Sequence, residues 1–182
     1  EKRRLRTEAA FDAARARKIA GQSGYGAEAE EFLQAGCGNF EEIAEFLENT
    51  ADPAQAKLAL LRTLSEKDMR DGRPEGLHEA LECCADISPE DAFTMRYIVS
   101  PRIGTEPLSC WRRSLIAGFS DAQKRAFREN PAAIWQWIVE NIRQTPEAEY
   151  RQLVTLPAGA MRLRCADARS QRLLFAAVCR TL

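Results

Sequence analysis

The chain has 182 residues, enough for one domain or for a compact domain with part of a second. Charged residues make up 29% of it, yet 26 Lys plus Arg stand against 27 Asp plus Glu, so the sum supplies no overall basic field for nucleic acid and no acidic tail. No apolar run reaches the length that spans a bilayer, and six cysteines without Cys-x-x-Cys spacing, with His78 as the sole histidine, are poor material for a zinc site.

The first cationic run, Lys2-Arg3-Arg4-Leu5-Arg6, has no interleaved aromatic residue and reads as a solvated first turn of helix. The chain opens on Glu1 rather than Met, which leaves room for a removed signal peptide or lipoprotein anchor. Residues 7–22 are rich in Ala and Arg, with Phe11 and Ile19 as the large apolar positions, and predict a helix at the edge of the array. Gly21, Gly24 and Gly26 break it. A short helix over 27–34 follows and ends at Gly36-Cys37-Gly38.

Residues 39–49 predict a helix with Asn39 as N-cap and Glu42 at its third position, and with Phe40, Ile43 and Leu47 on one face. Asp52-Pro53 then reads as a second start, with Gln55 completing a capping box and Leu58 and Leu61 facing inward. The stretches 65–68 and 71–74 read as a polar junction ahead of a helix over 75–84 that turns Leu77, Ala80, Leu81 and Cys84 inward. Adjacent Cys83 and Cys84 fit that pattern as half-buried thiols.

Ser88-Pro89, with Asp91 at the third position, predicts a further helix through Phe93, Met95 and Tyr97. Pro101, Gly104 and Pro107 make 99–105 an ordered loop or an extended segment, and 107–119 is predicted helical. Ser120 with Gln123 forms a capping box for a helix ending near Asn130. Asn130-Pro131 opens a strongly apolar helix, with Ile134, Trp137, Ile138 and Ile142 on one face and Trp135 and Val139 widening it. Thr145-Pro146 starts a turn or two through Tyr150 and Leu153, and the apolar-basic alternation over 160–164 suggests a short extended segment. A final helix begins at Asp167, an N-cap for Ser170, and carries Leu174, Ala177, Val178 and Leu182 on its buried face. It has no Gly or Asn after it, so its last carbonyls are expected to lack a cap, and the end reads as a truncation.

Side chains with chemistry are few. His78 lies among Glu75, Glu79 and Glu82 at helical spacing, which reads as an exposed helix around a half-buried imidazole. Arg112 and Arg113 beside Trp111 read as a solvated pair next to a core aromatic. Trp135 and Trp137, two residues apart, face opposite sides of their helix, so one is core and the other is covered by a neighbour or marks a docking patch. Arg102 and Glu106 flank the Gly104-Thr105 loop as a local staple, and no serine is assigned as a nucleophile.

The run 168–182, with Phe175, Ala177, Arg180 and Leu182, resembles the helix that follows the nucleophile in bacterial, Bacteroidetes-type transglutaminase-like (papain-type) domains. Their pattern is Gly-x-Cys-x-x-x-Ala-x-Leu-Phe-x-Ala-Leu-x-Arg-x-Leu, continuing into Gly-Ile-Pro-Ala-Arg. The stretch 97–113 is similar to the segment ahead of that core in secreted proteins of this type. The resemblance implies a Cys at the helix N-terminus, where unpaired amides and the helix dipole activate the thiol, with a His and an Asp on later strands. Counting back from Arg180 and Phe175 puts the nucleophile position at Ala168, which has no thiol; Cys165, three residues earlier, is the nearest cysteine, and Cys179 sits mid-helix.

Together these readings predict a mainly α chain, an array of about eight to ten short helices in antiparallel pairs with at most one short extended segment near 160–164. Residues 1–155 are expected to form a helical domain and 156–182 the start of a transglutaminase-like core. The expected role is structural or docking, without catalysis by this chain and without a cofactor or metal. The alternatives are a free-standing helical scaffold for a protein or peptide, and part of a cysteine peptidase or transglutaminase using Cys165. Trp111, Trp135, Trp137 and Arg102 are the docking candidates. The expected partners are the remainder of the core and a protein or peptide, not nucleic acid. The resemblance alone favours a periplasmic or cell-surface location.

Overall fold

Helix-period apolar stripes, punctuated by caps, prolines and glycines, become short helices nearly everywhere in the computed structural model, which describes residues 2–22, 24–146 and 155–182. The result is a mainly α chain with, among the described residues, one two-stranded parallel pairing. Contacts divide it into two compact units, Glu1–Ser100 and Pro101–Leu182, each with its own hydrophobic core. The boundary expected near residue 155 concerns descent from a larger core rather than compactness, and this division does not bear on it.

The first unit contains α1 (Lys2–Ala20), α2 (Ala27–Gly36), a 3-10 turn (Cys37–Asn39), α3 (Phe40–Glu48), α4 (Ala54–Leu61), α5 (Glu66–Asp71), α6 (Pro74–Glu82), α7 (Ala92–Thr94) and a π turn (Met95–Val99). Among the described side chains of α1 only Ala16 and Ile19 are buried, while Leu5 and Phe11 are exposed, which is the behaviour of an edge helix. Gly24 permits the turn after it on two grounds: its φ is 93°, and a Cβ there would stand 2.9 Å from the Cβ of Ala54. Leu33, Ile43, Phe46, Leu47, Leu60 and Leu61 are the fully buried centre, each worth roughly 1.5–3 kcal/mol of removal from water.

Several helix starts differ from expectation. Asn39 stands at the N-cap of α3, but its Nδ2 donates to the carbonyls of Met69 and Gly72, at 3.0 and 2.8 Å, instead of its side chain accepting from α3. Pro53, not Asp52, is the N-cap of α4, and no side chain caps that helix. The polar run 65–68 is not a junction but the start of α5, where Ser65 and Asp68 form a reciprocal capping box. Asp91 is the N-cap of α7 rather than its third residue, accepting from Thr94 N at 2.9 Å. Past Thr94 the helix widens, with Ser100 N donating to Met95 O at 2.8 Å, and Phe93 and Tyr97 stay exposed while Met95 and Val99 are buried.

The second unit contains α8 (Arg112–Ala117), α9 (Asp121–Glu129), α10 (Ala132–Asn141), β1 (Arg143–Gln144), α11 (Pro157–Leu163), β2 (Cys165–Ala166) and α12 (Ala168–Cys179). Helix predicted from residue 107 begins at Arg112, because 107–111 stay irregular and the Trp111 indole N–H donates back to Pro101 O at 3.1 Å. The start at Ser120 is as expected: its hydroxyl accepts from Gln123 N, and Gln123 Oε1 accepts from Ser120 N. Ser120→Ala should therefore lower stability by about 1 kcal/mol in chemical denaturation.

The expected extended segment over 160–164 is helix instead, with Ala160 and Met161 buried and Leu163 exposed, and the strand falls just beyond it. There β1 and β2 pair in parallel, Arg143 opposite Cys165 and Gln144 opposite Ala166. Ile134, Ile138 and Ile142 of α10 and its C-cap meet Leu174, Ala177 and Val178 of α12 in the core. The last carbonyls do have partners: Thr181 donates to Val178 O, Arg112 Nη1 to Arg180 O at 2.8 Å, and Arg128 Nε to Leu182 O at 3.0 Å. The turn predicted through Tyr150 and Leu153 lies outside the described residues.

Candidate functional site

The β2–α12 junction is where the sequence pattern locates a nucleophile. Asp167 caps α12, accepting from Ser170 N at 2.6 Å, so Ala168 is the first helical residue and presents a methyl group at the amide-rich end. The carboxylate of Asp167 supplies the negative charge that this end of the helix favours. Buried Ser170 in turn accepts from Thr155 N at 2.9 Å. Cys165 lies ahead of the helix in β2, half-buried, paired with Arg143. Cys179, at the far end of α12, has its thiol pushed up by burial, the reverse of activation.

The second unit also buries a charged network. Glu106, 2% exposed, accepts from the backbone N–H groups of Ile103 and Gly104, both at 2.8 Å, and so staples the loop between prolines. Arg112, 1% exposed, lies with its guanidinium 4.4 Å from the Trp111 ring centroid and reaches Arg180 O. Arg180 donates from Nη1 to Arg102 O at 2.7 Å. Burial, and next the charge of Arg112, lower the Arg180 pKa, with Glu106 opposing. The network ties loop, α8 and α12 together.

The docking candidates separate accordingly. Trp111 is buried. Arg102 is half-buried and contributes its carbonyl to Arg180. Trp137 is half-buried, with its ring 4.9 Å from Phe119 and the Arg164 guanidinium 5.2 Å from its centroid. Trp135 is the exposed member at 40%, edge-on to Phe175 at 6.1 Å, with exposed Val139 one turn along.

A second cluster, which sequence reasoning missed, holds the connection between α3 and α4. Lys57, 2% exposed, donates from Nζ to Leu47 O at 2.7 Å and Asn49 O at 2.5 Å, and lies 5.2 Å from the Tyr25 ring centroid. Tyr25 donates its hydroxyl to the same Leu47 carbonyl at 2.5 Å. His78 uses Nδ1 on Asp52 rather than joining Glu75, Glu79 or Glu82, and stacks obliquely against Phe46 at 4.9 Å. Burial lowers the Lys57 pKa against the pull of Asp52; burial and then Asp52 raise that of Tyr25. The available signal was a lysine inside the otherwise apolar run 57–61, all of it buried.

Among the described residues no group of three or more His, Cys, Asp or Glu side chains is arranged to hold a metal ion, and no helix is long and apolar enough to cross a membrane. Comparison with family models, curated proteins and solved structures finds no match to this chain.

Proposed function

We propose that this chain is the non-catalytic helical region of a transglutaminase-like protein and acts as a structural and docking module. One observation carries the reading: where the pattern around Phe175, Ala177, Arg180 and Leu182 requires a thiol, the first turn of α12 has the methyl of Ala168, and the helix end is already capped by Asp167. A thiolate there would draw its reactivity from those amides; a carboxylate uses the same field for stability alone. The sole histidine is hydrogen-bonded to Asp52 in the other compact unit.

The test is an amide-hydrolysis and transamidation assay on the chain and on Cys165→Ala. Both proteins should give the same background rate. Thiol-dependent turnover that disappears in the variant would overturn the proposal and favour a cysteine peptidase or transglutaminase acting through Cys165. A second reading, a free-standing scaffold for a protein or peptide, draws on the exposed Trp135 and Val139 one turn apart on α10.

A further inference from the structure

The near-neutral total conceals a division. Residues 1–100 carry 13 basic and 20 acidic side chains, a sum of −7, whereas residues 101–182 carry 13 basic and 7 acidic, a sum of +6. In the first unit six of the thirteen cations meet a carboxylate among the described residues: Arg4 with Glu8, Arg15 with Glu41 and Glu48, Arg62 with Glu28, Lys67 with Asp71, Arg70 with Glu66, and Arg73 with Glu42. In the second unit, Arg143, Arg162 and Arg164 are exposed and meet no carboxylate among the described residues.

These three arginines sit on adjoining backbone. Arg143 in β1 donates its backbone N–H to Arg164 O at 2.9 Å, Arg164 follows the last turn of α11 in the left-handed conformation with φ 54°, and Arg162 is on that last turn. The Arg164 guanidinium is held over Trp137. Three exposed cations on adjoining backbone, with no carboxylate partner among the described residues, make a local positive field that favours an anionic ligand. We infer that the Arg143, Arg162 and Arg164 face is a docking surface for an acidic, extended peptide segment.

Carboxylates suit the site because guanidinium forks grip them through two parallel hydrogen bonds, and Arg164 is already oriented by its ring. Nucleic acid suits it less. The Trp137 ring is already engaged by Arg164 and Phe119, so it offers a poor platform for stacking a base. This inference deepens the docking role proposed above and rests on it. The two fail separately, because thiol-dependent turnover removes the non-catalytic reading without touching a binding titration.

The experiment is fluorescence anisotropy of a labelled short polyglutamate peptide titrated with the full chain at about 0.02 M and about 0.15 M salt. Binding should saturate, weaken with salt, and fall about tenfold or more in Arg143→Glu/Arg162→Glu/Arg164→Glu. Reversal of three exposed cations of the first unit, Arg17→Glu/Lys18→Glu/Arg96→Glu, should change it less than about twofold. Arg143→Gln/Arg162→Gln, which leaves Arg164 on its ring, should weaken it about threefold and decides the matter if the triple reversal does not fold by circular dichroism. No saturable binding at low salt, equal losses in the first-unit control, or tighter binding of a single-stranded oligonucleotide of equal charge would each overturn the inference.

Discussion

Glu106→Ala is expected to destabilise the second unit by about 3–5 kcal/mol, read as a lowered midpoint in urea unfolding followed by tryptophan fluorescence. The carboxylate is 2% exposed and does two things at once. It accepts the N–H groups of Ile103 and Gly104, and its charge offsets the mutual repulsion of Arg112 and Arg180. Alanine leaves two amides to find water and removes the negative charge that opposes the repulsion between Arg112 and Arg180. Glu106→Gln separates the contributions: it retains one acceptor oxygen but no charge, and should recover part of the loss. The loop cannot easily relax, because a Cβ on Gly104 would already stand 3.1 Å from Leu173 Cδ1 and 3.3 Å from Glu106 Oε2. A loss below about 1 kcal/mol for the alanine variant would mean that the staple is replaceable by solvent.

Lys57→Ala should cost about 3 kcal/mol in the first unit, because it removes a cation that satisfies the Leu47 and Asn49 carbonyls at the end of α3 and leaves a hole in the core. The pH dependence of this site has a definite sign. The folded-state pKa of Lys57 lies below 10.5, so between the two values the unfolded chain binds more protons and stability rises with pH. The desolvation penalty is present in full below the folded value and gone above 10.5. Tyr25 acts in the opposite direction: its folded pKa lies above 10.0, so stability falls as pH rises from 10.0 through the raised value. Lys57→Met should therefore abolish the alkaline gain and leave the Tyr25 decline. Unfolding midpoints measured across the alkaline range in the two proteins provide the check, and parallel profiles would refute the assignment of the gain to Lys57.

Local chemistry was legible where a helix start depends on residues three apart. Ser120 with Gln123 and Asp167 with Ser170 form the hydrogen bonds their spacing predicts. The same rule applied to Ser65 and Asp68 would have revealed α5, but Met69 is its only large apolar side chain, so no stripe drew attention to it. At 160–164 the run is too short for period two and period 3.6 to differ. What decides for helix is the burial of Ala160 and Met161 beneath exposed Leu163. The polar clusters were not legible, because Asp52 and His78 are 26 residues apart and Arg112 reaches a carbonyl 68 residues away. Such pairings follow from how helices pack, which no spacing rule within one helix encodes. The charge division went unread for a simpler reason: opposite halves cancel in a total.

That cancellation has a consequence for handling the molecule. At its isoelectric point, near pH 6.0, zero net charge does not mean a surface without charge, since one segment stays anionic and the other cationic. Anion- and cation-exchange resins can then each retain the same polypeptide at the same pH, by different ends of its sequence.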